Sequence, residues 1–156
     1  MRRISLALVL LATSVASHAA EVELVRVWPG WRDADFFSRI SEYFTAHEND
    51  SGRIVARTHP ATRAGFYFLA HVNHSRVGLA NAKFVLSVIT PSDPEPKVFS
   101  FPVDRPPGVD VFELGLTGSD WPGKRAYPVA WKLELLANDG RALAVRQSFL
   151  WSKPAK

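Results

Sequence analysis

Residues 53–151 are cut into short apolar runs by turn-forming residues, and this rhythm limits the possible folds more than any other feature of the chain. The runs are 53–58 (RIVART), 66–73 (FYFLAHVN), 83–90 (KFVLSVIT), 97–101 (KVFSF), 109–116 (VDVFELGL), 128–137 (PVAWKLELLA) and 142–151 (ALAVRQSFLW). Each is rich in Val, Ile, Phe or Trp and bounded by turn residues, so each reads as a strand. The joints include His59-Pro60, Ser92-Asp93-Pro94-Glu95-Pro96, Arg105-Pro106-Pro107-Gly108, Trp121-Pro122-Gly123 and Asn138-Asp139-Gly140. Most of the 11 prolines fall there, where a missing N–H costs no ladder hydrogen bond.

Alternation within the runs separates a buried face from a wet one. Val129, Trp131, Leu133 and Leu135 share one side of their run, with Lys132 and Glu134 on the other. Phe84, Leu86 and Val88 line one face in the same way. Asp139-Gly140 supplies the positive φ that a tight hairpin demands, so the last two strands should pair antiparallel. No alternating strand–helix units occur, which argues against a parallel sheet.

Upstream, residues 22–28 (VELVRVW) read as one more strand, stopped by Pro29-Gly30. A helix is predicted around 34–44, because Phe36, Phe37, Ile40, Tyr43 and Phe44 share about 120° of arc at 100° per residue. Asp33 is its expected N-cap and Asp35 its first-turn acid. Five large apolar residues must pack, either against the sandwich, over one of its open ends, or on a partner.

The sum is an all-β chain: an antiparallel sandwich of about seven strands, preceded by a short strand and one amphipathic helix. The order and spacing of residues 53–151 resemble an immunoglobulin-like or fibronectin type III-like domain. The chain as a whole resembles the small exported β-proteins of bacteria, a type with no catalytic signature to transfer. The expected division is a signal peptide at 1–19, a strand and helix at 20–52 packed on the domain, and the sandwich at 53–156.

The export signal rests on three features in order. Arg2 and Arg3 are positive, residues 4–15 are apolar but for Ser5, Thr13 and Ser14, and Ser17-His18-Ala19-Ala20 offers small residues for cleavage. Cutting after Ala19 is favoured over cutting after Ala16. The apolar run falls short of the ~20 residues of a spanning helix, so no transmembrane segment is expected in the mature chain. A periplasmic or extracellular bacterial protein follows. The chain has no cysteine, which removes disulfides, a lipid anchor at the cleavage site, thiolate catalysis and cysteine-based metal sites. Loss of Arg2 and Arg3 lowers the net charge from its formal +4, and the remaining cations are scattered, so no nucleic-acid partner is expected.

Several motifs fail on context. Gly118-Ser119-Asp120-Trp121-Pro122-Gly123-Lys124 matches the opening of a phosphate loop, but Arg125 stands where a hydroxyl residue is needed and Pro128 precedes a strand. His71 and His74 point to opposite faces if both lie in a strand, and read as polar strand-edge residues rather than ligands. Asp33/Asp35 and Asp93/Glu95 belong to a helix start and an exposed turn. Asn73-His74-Ser75 fits a glycosylation pattern that is incidental in a bacterial protein. No catalytic residue, metal site or cofactor is assigned.

Five tryptophans leave the one positive signal. Trp131 is expected in the core. Trp28, Trp31 and Trp121 lie at strand ends or in loops, and Trp31 with Arg32, and Trp121 with Lys124, Arg125 and Tyr127, define a candidate binding surface. The competing role is that these rings fold back and plug the ends of the sandwich. The expected function is a non-enzymatic binding or structural module for an unknown protein or glycan partner. A carbohydrate-binding module would need two of Trp28, Trp31, Trp121 and Tyr127 exposed and coplanar. A small hydrolase would need a cleft with a converging Ser/His pair or carboxylates.

Overall fold

The computed structural model describes residues 21–37 and 54–152. The expected signal peptide, and the expected helix beyond Phe37, lie outside the described residues. Among the described residues, eight strands form two four-stranded sheets: β1 (Glu23–Arg32), β2 (Ile54–Arg57), β3 (Gly65–Asn73), β4 (Leu79–Thr90), β5 (Asp93–Arg105), β6 (Val109–Thr117), β7 (Ala130–Leu136) and β8 (Ala142–Gln147). The first sheet has the order β1-β3-β6-β2 and the second β5-β4-β7-β8.

The core lies between the sheets, as the alternation requires. From the first sheet come Leu24, Phe66, Phe68, Ala70, Phe112, Leu114 and Leu116; from the second come Phe84, Leu86, Val88, Phe101, Leu133 and Leu135. Trp131 is half-buried and meets the Phe68 ring edge-on at 5.7 Å. The β7–β8 connection is the expected hairpin. Gly140 has φ +83° and its N–H bonds the Ala137 carbonyl at 2.9 Å, a turn closed by a left-handed glycine.

Five expectations change. β1 does not stop at Pro29-Gly30 but runs on to Arg32, paired with β3 from Glu23↔Asn73 to Arg32↔Gly65. It is therefore a ten-residue member of the first sheet rather than a short strand ahead of the sandwich. Only one side of this edge strand is paired with β3, so a proline whose nitrogen faces away breaks nothing. β5 likewise runs through Pro94, Pro96 and Pro102 at the edge of the second sheet, where prolines blunt an otherwise open row of donors.

β2 pairs with β6 in parallel, Ile54↔Phe112 to Arg57↔Gly115. β2 lies at the far edge of the sheet from β1. The last run ends early: β8 stops at Gln147, and Ser148–Trp151 close a turn through Trp151 N–H to Ser148 O at 3.1 Å. Finally, residues Ala34–Phe36 form one 3₁₀ turn. Asp33 stands at its start in extended geometry, but its side chain makes no cap bond. Its carboxylate is engaged elsewhere.

Phe37 leaves that turn onto the outer face of the first sheet. Its ring meets Tyr67 at 4.8 Å, and the Arg57 guanidinium lies 4.7 Å over it. The Tyr67 hydroxyl accepts from Arg57 Nε at 2.7 Å and donates to the Arg63 carbonyl at 2.6 Å. On the open flank of the sandwich, Arg146 of β8 donates to the carbonyls of Leu24 and Val25 at 2.8 and 3.1 Å. These are the carbonyls beside the β1 bulge, so one guanidinium ties the two sheets together where the ladder is irregular.

Candidate functional site

Strand directions collect the exits of β1, β2, β4, β6 and β8 at one end of the sandwich, with the starts of β3, β5 and β7. The segment 31–37, the 58–64 loop, the 118–129 loop and the turn after β8 therefore share this end. The sequence-assigned residues all fall on it, and the structure divides them into a buried group and an exposed one.

Trp121 is 5% exposed and stacks on Phe66 at 4.4 Å with an interplanar angle of 24°. It plugs the end of the core, because Gly118–Asp120 make a single 3₁₀ turn that brings the next residue back over Phe66. Its Nε1 is buried and meets no acceptor. Trp31 is half-buried, packs on the core from β1, and donates from Nε1 to Asp33 Oδ1 at 2.9 Å. The other Asp33 oxygen receives Lys124 Nζ at 2.7 Å. Hydrogen bonds from Lys124 and Trp31 hold the Asp33 carboxyl below its ordinary value. The β1 exit and the 118–129 loop are thus clasped across the plugged core.

Arg32 turns away to the outer face, donating to the Trp31 carbonyl at 3.1 Å with its guanidinium 4.8 Å over Phe36. Arg125 is exposed and has no acidic partner among the described residues. Tyr127 is 65% exposed, its ring edge-on to Phe66 at 6.0 Å. Of the four rings considered for sugar stacking, Trp28 and Tyr127 are exposed. They occupy different surfaces: Trp28 projects from the outer face of the first sheet under Arg26, at 5.0 Å, while Tyr127 stands over the end of the core.

The structure adds residues that the sequence did not single out. Phe149 and Leu150 are 75% and 49% exposed. They occupy the two corners of the turn after β8, positions that turns normally fill with polar or small residues. Ser148 N–H bonds the Trp131 carbonyl, and Ser148 Oγ accepts from Trp131 N at 3.0 Å. That pairing sets the turn beside the start of β7, where Val129 is also exposed. Trp151 folds back toward Lys132, whose Nζ lies 5.8 Å from the ring centre.

Ser119, His59 and Asp120 also meet at this end. His59 Nε2 lies 3.3 Å from Ser119 Oγ and 3.1 Å from Asp120 Oδ2. A hydrolytic relay needs the nucleophile on one ring nitrogen and the carboxylate on the other. Here both converge on Nε2, on an exposed loop. The loop itself is fixed by a reciprocal clip: Thr117 N donates to Thr58 Oγ1 at 3.0 Å and Thr117 Oγ1 donates to the His59 carbonyl at 3.1 Å.

At the opposite end, His74 is fully buried rather than an edge residue. Its Nε2 lies 3.0 Å from Asp110 Oδ2, and Arg105 Nε donates to the same oxygen at 3.3 Å. Backbone bonds between His74 and Gly108 join the β3–β4 and β5–β6 connections around this cluster. Burial disfavours the charged form of Asp110, but hydrogen bonds from Arg105 and His74 outweigh it and hold the carboxyl below its ordinary 3.8. A lowered folded value contributes stability that is present above the unfolded value and lost as pH falls through the folded one. Asp110→Asn is therefore expected to cost most near neutral pH, with its unfolding curve approaching that of the parent chain below about pH 4. Urea titrations at neutral and acid pH read that difference.

Asn73 makes a local turn, its Oδ1 accepting from Ser75 N and Oγ at 3.2 and 2.9 Å. A shallow hollow of about 510 Å³ between Asn81, Lys83, Asp104 and Asn138 follows the exposed flank of β4 and β5. Among the described residues no group of three or more His, Cys, Asp or Glu could hold a metal ion, and no helix is long and apolar enough to cross a membrane. Comparison with protein-family models, with curated proteins and with solved structures finds no match for the chain.

Proposed function

We propose that this chain is an exported, non-enzymatic binding module that meets its partner with the loop end of an immunoglobulin-type sandwich. Residues 1–19 direct export to the periplasm or beyond, and cleavage after Ala19 leaves a chain that begins just ahead of β1. The strand order supports the immunoglobulin-type reading. With β2 set aside, the other seven strands follow the immunoglobulin order except that the fourth, β5, pairs with β4 instead of β6. β2 takes the vacated place beside β6.

The observation that carries the binding role is the exposure of Tyr127, Phe149 and Leu150 at the end of the scaffold where Trp121 and Trp31 pack on the core. Large apolar side chains grouped on a surface mark interaction sites, and a fixed scaffold lowers the ordering cost of binding. A photoreactive amino acid at position 127 tests this in the intact cell envelope. It is expected to give discrete adducts, whereas the same group at Val98, exposed on the β5 edge, gives none. Equal labelling from both positions would contradict the reading.

A further inference from the structure

The outward row of β1 forms a second surface, which shares no residue with the loop end. We infer that Arg26, Trp28 and Arg32, with His71 beside them, bind an extended saccharide that carries carboxylates.

Pairing with β3 sends Val27 and Trp31 toward the core and Arg26, Trp28, Gly30 and Arg32 outward. The bulge between Leu24 and Arg26 sets that alternation, and Arg146 fixes the bulge by holding the Leu24 and Val25 carbonyls. Arg26 lies 5.0 Å over the Trp28 indole, which is still 40% exposed. On the other side of Trp28 the row carries no side chain at Gly30. The Arg32 guanidinium lies over that gap: a Cβ at Gly30 would stand 3.4 Å from its Nη1. Alternate residues of a strand are ~7 Å apart. One flat apolar ring therefore stands between two cations, each one row position away.

Neither cation is neutralised. Arg26 rests on an aromatic ring; Arg32 donates from Nη1 to the Trp31 carbonyl and lies 4.8 Å over Phe36. Among the described residues neither forms an ion pair. Asp33, the acid next to Arg32, has its oxygens engaged by Trp31 and Lys124. Stacking on rings also restricts both guanidiniums before a ligand arrives, which lowers the ordering cost of a bidentate contact to a carboxylate. His71, paired with Arg26 across β3, adds an imidazole to the same face.

These features select the ligand. An uncharged sugar needs a second ring coplanar with Trp28, and Tyr127 occupies another surface. An acidic peptide would add to β1 as a strand, but Pro29 has no N–H to offer it and Arg146 already occupies the Leu24 and Val25 carbonyls. The row lies open along an edge strand, which suits a chain laid across it rather than a small molecule held in a cavity. A polyuronate meets all three conditions, with C–H faces for the indole, carboxylates for the guanidiniums and an extended shape.

Isothermal titration of the chain with oligogalacturonate and with oligomannuronate tests the site. At least one is expected to bind, and its methyl-esterified form, similar in shape but uncharged, should bind at least about ten-fold more weakly. Arg26→Gln and Trp28→Ala should each weaken binding about ten-fold, and Arg32→Gln about five-fold. Added salt should weaken it further. Lys83→Gln, an exposed cation of β4, should leave binding unchanged, which separates the row from general positive charge. Far-ultraviolet circular dichroism verifies the fold of each variant. Binding of neither oligomer, equal binding of the esterified form, or binding indifferent to the Arg26 and Trp28 changes overturns the saccharide site. None of these outcomes alters the adducts expected from position 127, so the loop-end reading stands or falls separately.

Discussion

Trp121→Ala is expected to lower the free energy of unfolding by about 3–5 kcal/mol. The indole is nine-tenths buried at the end of the inter-sheet core and lies flat on Phe66. Phe66 in turn meets Phe68 and Tyr127 edge-on at 5.6 and 6.0 Å. Truncation removes the plug and opens a cavity against rings held by β3, which cannot collapse into it. Trp121→Phe should be much milder. It keeps a ring on Phe66 and deletes a buried N–H that finds no acceptor, so part of the lost contact is offset. Urea unfolding of the two variants, compared at constant slope, gives the answer. Similar losses for Ala and Phe would mean that the indole N–H matters and the stack does not.

Gly115→Ala should cost about 2–3 kcal/mol, an unusual penalty for one added methyl group. Gly115 pairs with Tyr67 across β6 and β3, and the Tyr67 ring lies across the glycine. A Cβ at position 115 would stand 2.4 Å from a Tyr67 ring carbon. The ring cannot swing aside freely, because its hydroxyl is held by Arg57 and by the Arg63 carbonyl while Phe37 packs against its face. The double variant Gly115→Ala with Tyr67→Ala should be less destabilised than the sum of the two single changes, since the clash needs both partners. Strict additivity, measured by thermal or urea unfolding, would refute the contact.

The strand content was legible because each run carried its own alternation and its own stops. Phe84, Leu86, Val88, Leu133 and Leu135 are all buried within the core, and the Asp139-Gly140 hairpin falls where its left-handed glycine requires. What misled was punctuation read without knowledge of edges. Pro29, Pro94, Pro96 and Pro102 break central strands but not edge strands, and nothing local says which strand is at an edge. The parallel β2–β6 pair was hidden for a related reason, since residues 54–57 carry no trace of their neighbour's direction.

The candidate site was half legible. Composition and flanking residues put Trp31, Trp121 and Tyr127 at strand ends or in loops, and the fold gathers them at one end, but burial depends on contacts made far along the chain. Asp33 reads locally as a helix cap, yet it is claimed by Lys124, 91 residues away. His74 reads as an edge histidine until Asp110, 36 residues on, is folded against it. Phe149 and Leu150 looked like the end of a strand because their apolarity continues the run. Only the turn that Ser148 closes turns them outward.

Hydroxyl-radical footprinting of the chain, free and mixed with the cell envelope to which we propose it is exported, tests the central claim most directly. Tyr127, Phe149 and Leu150 should label in the free chain and become protected on binding, while Trp121 stays unlabelled in both and Val98 labels equally in both. Labelling of Trp121 in the free chain, or protection of Val98 with none at Tyr127 and Phe149, would contradict a plugged core that presents its loop end to a partner.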